Sequence, residues 1–160
     1  MEANNAYPLA KKTFEKPKTI IEVNGIKIGS DELTVIAGPC AVESEEQLYA
    51  IGEYLAGEGV KIMRGGAYKP RTSPYSFQGL KEDGLRLLKG VSQKFDMAII
   101  TEVLDLSLLD TIYPYTDILQ IGARNMKNYH FLKELGKTDK PILLKRGMDA
   151  TIEELSLIHI

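Results

Sequence analysis

Short apolar runs alternate with longer amphipathic stretches through most of the chain. Five runs predict β-strands because they are apolar throughout and rich in β-branched residues: 33–37, 60–63, 97–101, 117–121 and 141–145. The intervening stretches have helical periodicity, over 43–58, 81–95, 106–112 and 128–135, and Thr151 is placed to cap a fifth helix. Strands of this kind, separated by helices, predict a parallel sheet that is buried on both faces.

The chain divides into four segments. Residues 1–18 are polar and lysine-rich, and are predicted to form a flexible extension. Residues 19–30 predict a β-hairpin, because Asn24-Gly25 accepts the positive φ angles of a tight turn. Residues 31–154 hold the five strand and helix units, and the last six residues are a separate segment discussed below. Such a sheet either closes into a β/α barrel or stays open and doubly wound, and periodicity does not decide between them.

The residues that follow the strands favour the barrel. Each strand ends in glycine or in polar side chains, in the order Gly38-Pro39-Cys40, Arg64-Gly65-Gly66, Thr101-Glu102, Gly122-Ala123-Arg124-Asn125 and Lys145-Arg146-Gly147. A β/α barrel collects functional groups from the carboxyl ends of many strands, whereas a doubly wound sheet concentrates them where the strand order reverses. The predicted fold is therefore α/β, a TIM (β/α)8 barrel preceded by a hairpin. Because such a barrel has eight strands and about 250 residues, the chain is expected to be truncated after strand five.

Composition narrows the function. The 160 residues are 44% apolar and carry a net charge of -2, which indicates a globular protein and argues against nucleic acid or an anionic membrane as a partner. The single cysteine, Cys40, forbids an internal disulfide, and no run approaches the roughly 20 apolar residues that cross a bilayer. A cytoplasmic location is expected.

The loop over residues 64–79, with the sequence RGGAYKPRTSPYSFQG, is the clearest candidate site. Arginine and lysine bind phosphate, and glycine lets the backbone approach a ligand closely. Further cations follow later strands, at Arg124, Lys145 and Arg146. Together these charges suit two phosphates and a carboxylate, which implies two anionic substrates. The alternatives are a solvated basic turn for the loop and, for Lys145 and Arg146, interaction with acidic helix ends.

Five motifs carry a family resemblance, in the order IAGPCAVES, RGGAYKPRTSPYSFQGL, TEVLD, IGARNMKN and LLKRGM. With them, residues 33–152 resemble the synthases that condense phosphoenolpyruvate with an aldose phosphate. The family has two branches, 3-deoxy-D-arabino-heptulosonate 7-phosphate (DAHP) synthase and 3-deoxy-D-manno-octulosonate 8-phosphate synthase. Residues 69–73, Lys-Pro-Arg-Thr-Ser, favour the first branch, whose second substrate is erythrose 4-phosphate. The octulosonate branch remains the alternative.

The resemblance implies a role for each matched residue. The residues that it assigns to phosphoenolpyruvate are Arg64, Lys69, Arg124 and Lys145. Those assigned to erythrose 4-phosphate are Pro70, Arg71, Thr72 and Ser73, with the arginine on the distal phosphate. Lys69 and Glu102 are the implied catalytic residues, although Glu102 could instead pair with arginines of the barrel. Cys40 matches a ligand of a divalent metal, Mn, Fe, Co or Zn, and its alternative is a small buried apolar residue.

The chain also departs from the family pattern. The family's other metal ligands come from strands six to eight, so the fragment itself is expected to be inactive. Five strands leave two open edges and an uncovered apolar surface, so the fragment is also expected to aggregate or to remain loosely folded. The full-length parent is expected to be a homo-oligomer, either a dimer or a tetramer. A non-catalytic phosphate-binding half-barrel, completed by a second chain, is the remaining alternative. Residues 155–160, LSLIHI, are interpreted as a non-native, adapter-derived tail that interrupts the helix after Glu154.

Overall fold

The structure is a computed structural model that describes residues 10, 12–15 and 17–158. Most of the predicted extension over residues 1–18, and the last two residues of the predicted tail, lie outside the described residues.

The N-terminal hairpin is present as predicted. Strands β1 (Ile21–Val23) and β2 (Ile26–Ile28) pair antiparallel, with Ile21 opposite Ile28. Between them Asn24 and Gly25 have φ angles of 49° and 78°, the left-handed conformation that a two-residue turn demands.

The five predicted strands form one parallel sheet. They are β3 (Ile36–Ala37), β4 (Ile62–Arg64), β5 (Ala98–Glu102), β6 (Ile118–Ile121) and β7 (Ile142–Leu144). Their order in the sheet equals their order in the chain, and every neighbouring pair is parallel. Because a doubly wound sheet would reverse this order at some point, the topology is that of a β/α barrel, of which these strands form the first part. Strand β3, the first of the five, is shorter than the predicted strand over residues 33–37.

In the part of the chain that the structure describes, five helices connect or follow the strands. They are α1 (Glu45–Gly57), α2 (Glu82–Phe95), α3 (Leu109–Ile112), α4 (Tyr129–Leu135) and α5 (Ile152–Leu157). Short 3₁₀ turns lie at Leu106–Leu108, Tyr113–Tyr115 and Ala123–Asn125. No helix within the described residues is long and apolar enough to span a bilayer.

The prediction that the last helix is interrupted after Glu154 is wrong. Helix α5 starts at a capping box, in which Thr151 and Glu154 bond each other's backbone N–H groups, and it continues to Leu157. Leucine is a good helix former and a single serine is tolerated, so nothing in residues 155–157 ends the helix.

The core has two layers, one on each face of the sheet. The outer layer lies between the sheet and the helices, and its fully buried members include Leu48, Ile99 and Leu119. The inner layer contains Ile100 and other apolar residues on the concave face, and Val23 of the hairpin packs into it. Consecutive residues such as Ile99 and Ile100 enter opposite layers, as the period of a strand requires.

Removing a buried leucine of the outer layer should destabilise the fold. Leu48→Ala in α1 is expected to lower the free energy of unfolding by about 2–5 kcal/mol, because it deletes buried methyl groups and leaves a cavity. Glu53→Ala, at an exposed position of the same helix, is the matched control and should change it by less than about 0.5 kcal/mol. Urea denaturation of both variants measures the difference, and equal stabilities would contradict this description of the core.

Candidate active site

Four neighbouring strands carry an inward-facing polar side chain at or next to their carboxyl ends. Each lies two residues beyond an inward apolar residue, so it faces inward as well. The pairs are Ile62 and Arg64, Ile100 and Glu102, Ile118 and Gln120, and Leu143 and Lys145. Since all four strands are parallel, these polar residues lie together at the carboxyl end of the sheet, where β/α barrels place their active sites. We call this set the inner polar ring.

Lys69 joins the ends of β3 and β4. Its side chain is 8% exposed, and its ammonium donates to the Cys40 carbonyl oxygen at 2.9 Å and lies 3.4 Å from the Cys40 sulfur. Gly66 makes this approach possible, because a Cβ there would lie 2.8 Å from the same carbonyl oxygen. Gly38 has a φ of +142°, and a Cβ on it would strike the Arg64 carbonyl oxygen. The loops after the two strands are thus packed backbone to backbone.

The tip of the basic loop is exposed to solvent, at residues 71, 72 and 74–77. Arg71 and Thr72 are exposed, and the Arg71 Nε donates to the Phe77 carbonyl oxygen at 3.3 Å. The loop is closed at its base, where the Lys69 N–H donates to the Gln78 carbonyl oxygen at 2.9 Å. Lys69 therefore points to the Cys40 side of the loop, while Arg71 and Thr72 lie on its solvent side.

Two further predicted residues and a tyrosine complete this loop. Pro70 and Ser73 are half-buried, and the Ser73 hydroxyl accepts from the Tyr75 N–H at 3.3 Å. Burial raises the pKa of the Tyr68 phenol above its ordinary value, and the negative charge of Glu82 adds to the effect. The phenol of Tyr68 therefore keeps its proton to higher pH than an ordinary tyrosine.

The ends of β5 and β6 meet through Glu102. Its carboxylate accepts from the Gln120 side-chain amide at 3.4 Å, and a Cβ on Gly122 would strike its other oxygen. Within the described residues Glu102 forms no ion pair, so the alternative of a salt bridge to barrel arginines is not observed. Sequence reasoning missed Gln120, although its signal was available: it is the one polar residue inside the strand Ile118–Ile121.

The loops that follow β6 and β7 line an open pocket of about 260 Å³. Arg124 lines it from the 3₁₀ turn after β6, and Gly147 lines it from the loop after β7. The two loops are tied where the Gly147 N–H donates to the Met126 sulfur at 3.0 Å. Lys145 is exposed, and its backbone N–H extends the ladder by donating to the Ile121 carbonyl oxygen at 3.0 Å.

Arg146 is not part of this arrangement, contrary to the expectation that it converges with the other cations. Its guanidinium donates to the Ala150 carbonyl oxygen at 2.6 Å and so braces the loop before α5. Since α5 begins two residues after Ala150, Arg146 helps to position that helix.

Cys40 is exposed, so the alternative of a small buried residue is wrong. Its sulfur is available to a ligand at the mouth, as a metal ligand must be. The described residues nevertheless contain no group of three or more His, Cys, Asp or Glu side chains that would hold a metal ion. They do not form a metal site on their own, because one thiolate cannot fix a divalent ion.

A wider cavity, of about 820 Å³, lies at the opposite end of the sheet. It is bounded by the hairpin turn, by the loop before β3, and by the residues that precede β4 and β5. It contains none of the residues of the inner polar ring. β/α barrels carry their chemistry at the carboxyl ends of the strands. The end of the sheet that holds the inner polar ring and the basic loop is therefore the better candidate site, although its cavity is smaller.

Comparison with known proteins identifies the family. The chain matches the model of the DAHP synthetase I family over residues 10–159. It is also 48% identical to a phospho-2-dehydro-3-deoxyheptonate aldolase of Thermotoga maritima over 151 residues. This alignment covers 94% of this chain and 45% of the relative. A 2-dehydro-3-deoxyphosphooctonate aldolase of Rickettsia typhi is 35% identical over 138 residues, covering 81% of this chain and 50% of the relative. The chain therefore belongs to the DAHP synthetase I family.

Solved structures agree with the sequence comparison. The DAHP synthase crystal structure from Thermotoga maritima superposes with a TM-score of 0.85 at 49% identity, over 88% of this chain and 41% of that one. A truncated form of 3-deoxy-D-arabino-heptulosonate 7-phosphate synthase from the same organism superposes with a TM-score of 0.86 at 42% identity. The match covers 96% of this chain and 56% of that one. The chain thus spans about half the length of the relatives it matches, and the predicted barrel fold is confirmed. Enzymes of this family are generally metal-dependent.

The contact between the first two loops should be intolerant of a methyl group. Gly38→Ala is expected to lower the free energy of unfolding by at least about 3 kcal/mol, because the residue has a φ that side chains avoid and because its Cβ meets the Arg64 backbone. Gly57→Ala, at the end of α1 with nothing within 4 Å of a Cβ, is the matched control and should be neutral or slightly stabilising. Thermal unfolding of both variants provides the measurement, and a tolerated Gly38→Ala would show that the loops do not pack this way.

Proposed function

We propose that the protein to which this chain belongs condenses phosphoenolpyruvate with erythrose 4-phosphate, giving DAHP and inorganic phosphate at the entry to the shikimate pathway. The observation that carries the proposal is the inner polar ring, which stands beside buried Lys69 at the carboxyl ends of successive strands. Similarity to DAHP synthases supports the choice of reaction.

Phosphoenolpyruvate is assigned to Arg64, Lys69, Arg124 and Lys145. The substrate carries a phosphate and a carboxylate, and these four cations come from the ends of three strands and from the basic loop. Lys69 is the most buried of them, so its attraction for an anion is the least screened by water. The arginines add paired donors that fix the orientation of a phosphate or a carboxylate.

Erythrose 4-phosphate is assigned to the solvent side of the basic loop. Arg71 takes its distal phosphate, and Thr72, with Pro70 and Ser73, contacts its sugar chain. Because Arg71 and Thr72 are exposed while Lys69 is not, the second substrate lies nearer to solvent than the first. That arrangement suits binding of phosphoenolpyruvate before the aldehyde.

Lys69 and Glu102 are the proposed catalytic residues. In the reaction the C2=C3 double bond of phosphoenolpyruvate supplies the electrons for a bond from C3 to the aldehyde carbon, and the aldehyde oxygen takes up a proton to become a hydroxyl. Water adds at C2 with loss of a proton, and the bond from C2 to the phosphate oxygen then breaks as the C2 hydroxyl loses its proton and becomes the ketone. Lys69 balances the negative charge on the substrate throughout. Glu102, whose carboxylate accepts from the Gln120 side-chain amide and lies close to Gly122, is proposed to orient the attacking water and to accept its proton.

Cys40 is proposed to supply one ligand of a divalent metal, Mn, Fe, Co or Zn, with further ligands from outside the described residues. Such an ion would polarise the aldehyde oxygen. As for assembly, we propose that the whole protein is a homo-oligomer. The assignment of the two substrates to the cationic residues does not depend on the metal or on the oligomeric state.

Replacing Lys69 should abolish most of the activity. In the protein as its gene encodes it in full, Lys69→Met is expected to lower kcat/KM by about 10²–10³-fold, since it removes a buried charge that faces the substrate. Lys61→Met, at an exposed lysine at the other end of β4, makes the same substitution and should leave kcat/KM unchanged. Release of phosphate from the two substrates is the assay. Equal activity of both variants would contradict the assignment.

The same assay separates the possible reactions. Turnover with arabinose 5-phosphate in place of erythrose 4-phosphate would identify the octulosonate branch, to which the Rickettsia relative belongs by name. Binding of phosphoenolpyruvate without turnover of either sugar would identify a non-catalytic binding protein.

Arg71 should affect one substrate only. Arg71→Ala is expected to raise KM for erythrose 4-phosphate about thirtyfold or more, because a phosphate would lose its charged partner, while KM for phosphoenolpyruvate changes by less than about twofold. The matched control is Arg86→Ala, at an exposed arginine of α2 whose ion pairs lie within its own helix. Initial rates with each substrate varied in turn give both constants. An equal rise in both KM values would remove Arg71 from the sugar site.

A further inference from the structure

Thr101 is a buried polar residue that stands directly before Glu102 in β5 and is 2% exposed. Its side chain faces the outer layer, because it alternates with Glu102 and lies on the same side of the strand as Ile99. A group in that position cannot touch a ligand at the mouth of the barrel. Burial of a hydroxyl is unfavourable unless it is hydrogen-bonded, so the bond that it makes has to account for its presence.

The Thr101 hydroxyl donates to the carbonyl oxygen of Gly65 at 2.6 Å. Gly65 directly follows Arg64, and its own N–H donates to the Ile100 carbonyl oxygen at 3.0 Å. Both polar groups of Gly65 are therefore bonded to β5, one through the backbone ladder and one through the threonine. The ladder bond sets the register at the end of β4, and the hydroxyl bond sets the direction of the peptide that leads into Gly66.

Gly66 connects this peptide to the candidate site. Its carbonyl oxygen accepts from the Val42 N–H at 3.0 Å. A Cβ on Gly66 would lie 2.8 Å from the Cys40 carbonyl oxygen and 3.0 Å from the Lys69 ammonium. There is no free space around this residue, so a rotation of the preceding peptide displaces the Cys40 loop and Lys69 together.

We propose that Thr101 is a positioning residue, whose hydroxyl fixes the Gly65 peptide and thereby places Arg64 and Lys69 for binding of a phosphorylated carboxylic acid. The identity of that acid as phosphoenolpyruvate rests on the proposed function. The effect of the hydroxyl on the loop does not, because it follows from the bonds of Gly65 and Gly66 alone.

The test compares Thr101→Val, Thr101→Ser and Thr138→Val in the protein as its gene encodes it in full. Valine removes the hydroxyl at nearly constant shape, and serine keeps it. Thr138→Val is the matched control, since the Thr138 hydroxyl also donates to a carbonyl oxygen, that of Leu135 at 2.7 Å, but lies between α4 and β7. For Thr101→Val we expect KM for phosphoenolpyruvate to rise about tenfold or more, with KM for erythrose 4-phosphate nearly unchanged. Thr101→Ser should restore the wild-type value, and Thr138→Val should retain it.

Amide hydrogen exchange over residues 64–70 gives a readout that needs no activity. Thr101→Val should exchange faster there than wild type, whereas Thr138→Val should not. If wild type turns over neither sugar phosphate with phosphoenolpyruvate, the proposed function fails, and exchange alone decides the role of Thr101. If Thr101→Val does not fold, Thr101→Cys, with a weaker donor, should give an intermediate exchange rate. Unchanged exchange and KM in Thr101→Val, or no recovery in Thr101→Ser, would overturn the proposal.

Discussion

The parallel pairing of consecutive strands is the constraint on which the rest of this structure depends. Once each strand lies beside its neighbour in the chain, all five carboxyl ends are forced to one edge of the sheet. Residues far apart in sequence, such as Cys40 and Lys69, or Glu102 and Gln120, are then in contact. The backbone hydrogen bonds of the sheet bring these groups together. The side chains do not have to attract each other for this, so their charges and hydrogen-bonding groups remain free to bind a ligand.

Several positively charged side chains lie at one edge of the sheet, so each needs a hydrogen-bond acceptor or a negative charge close to it. Lys69, the most buried, is partly satisfied by the Cys40 carbonyl, a neutral acceptor that an anionic ligand can outcompete. Arg71 likewise bonds only a carbonyl oxygen, that of Phe77. Neither cation has a carboxylate partner among the described ion pairs. These two charges are therefore not neutralised by carboxylates of the described residues and can attract an anionic ligand, which distinguishes them from Arg86, whose charge is paired within α2.

Sequence alone predicted the elements whose signals are local. The strands could be inferred from the spacing of apolar runs, and the hairpin from Asn24-Gly25, because both depend on short-range chemistry. The order of the strands could not be read from that spacing, and was inferred from the polar residues that follow each strand. Arg146 was misassigned because its partner, the Ala150 carbonyl, is defined only by the path of the following loop. Thr101 was listed among the polar strand ends, but its role could not be inferred, for a related reason. A threonine in a strand is ordinary by propensity, and its importance appears only when the neighbouring strand presents the Gly65 carbonyl.

Rigidity is not equal across the candidate site, and the packing shows where it is greatest. The central strands β4 to β6 are buried almost throughout, whereas the residues of β3 and β7, at the two edges of the sheet, are only half-buried. Arg64 and Glu102 therefore stand on the well-packed centre, and Thr101 locks the join between their strands. Lys145 stands on β7, and its position depends more on what packs against that edge. A substrate that engages Arg64 and Lys145 at once would link the rigid centre to the looser margin, so part of its binding energy would go into ordering β7.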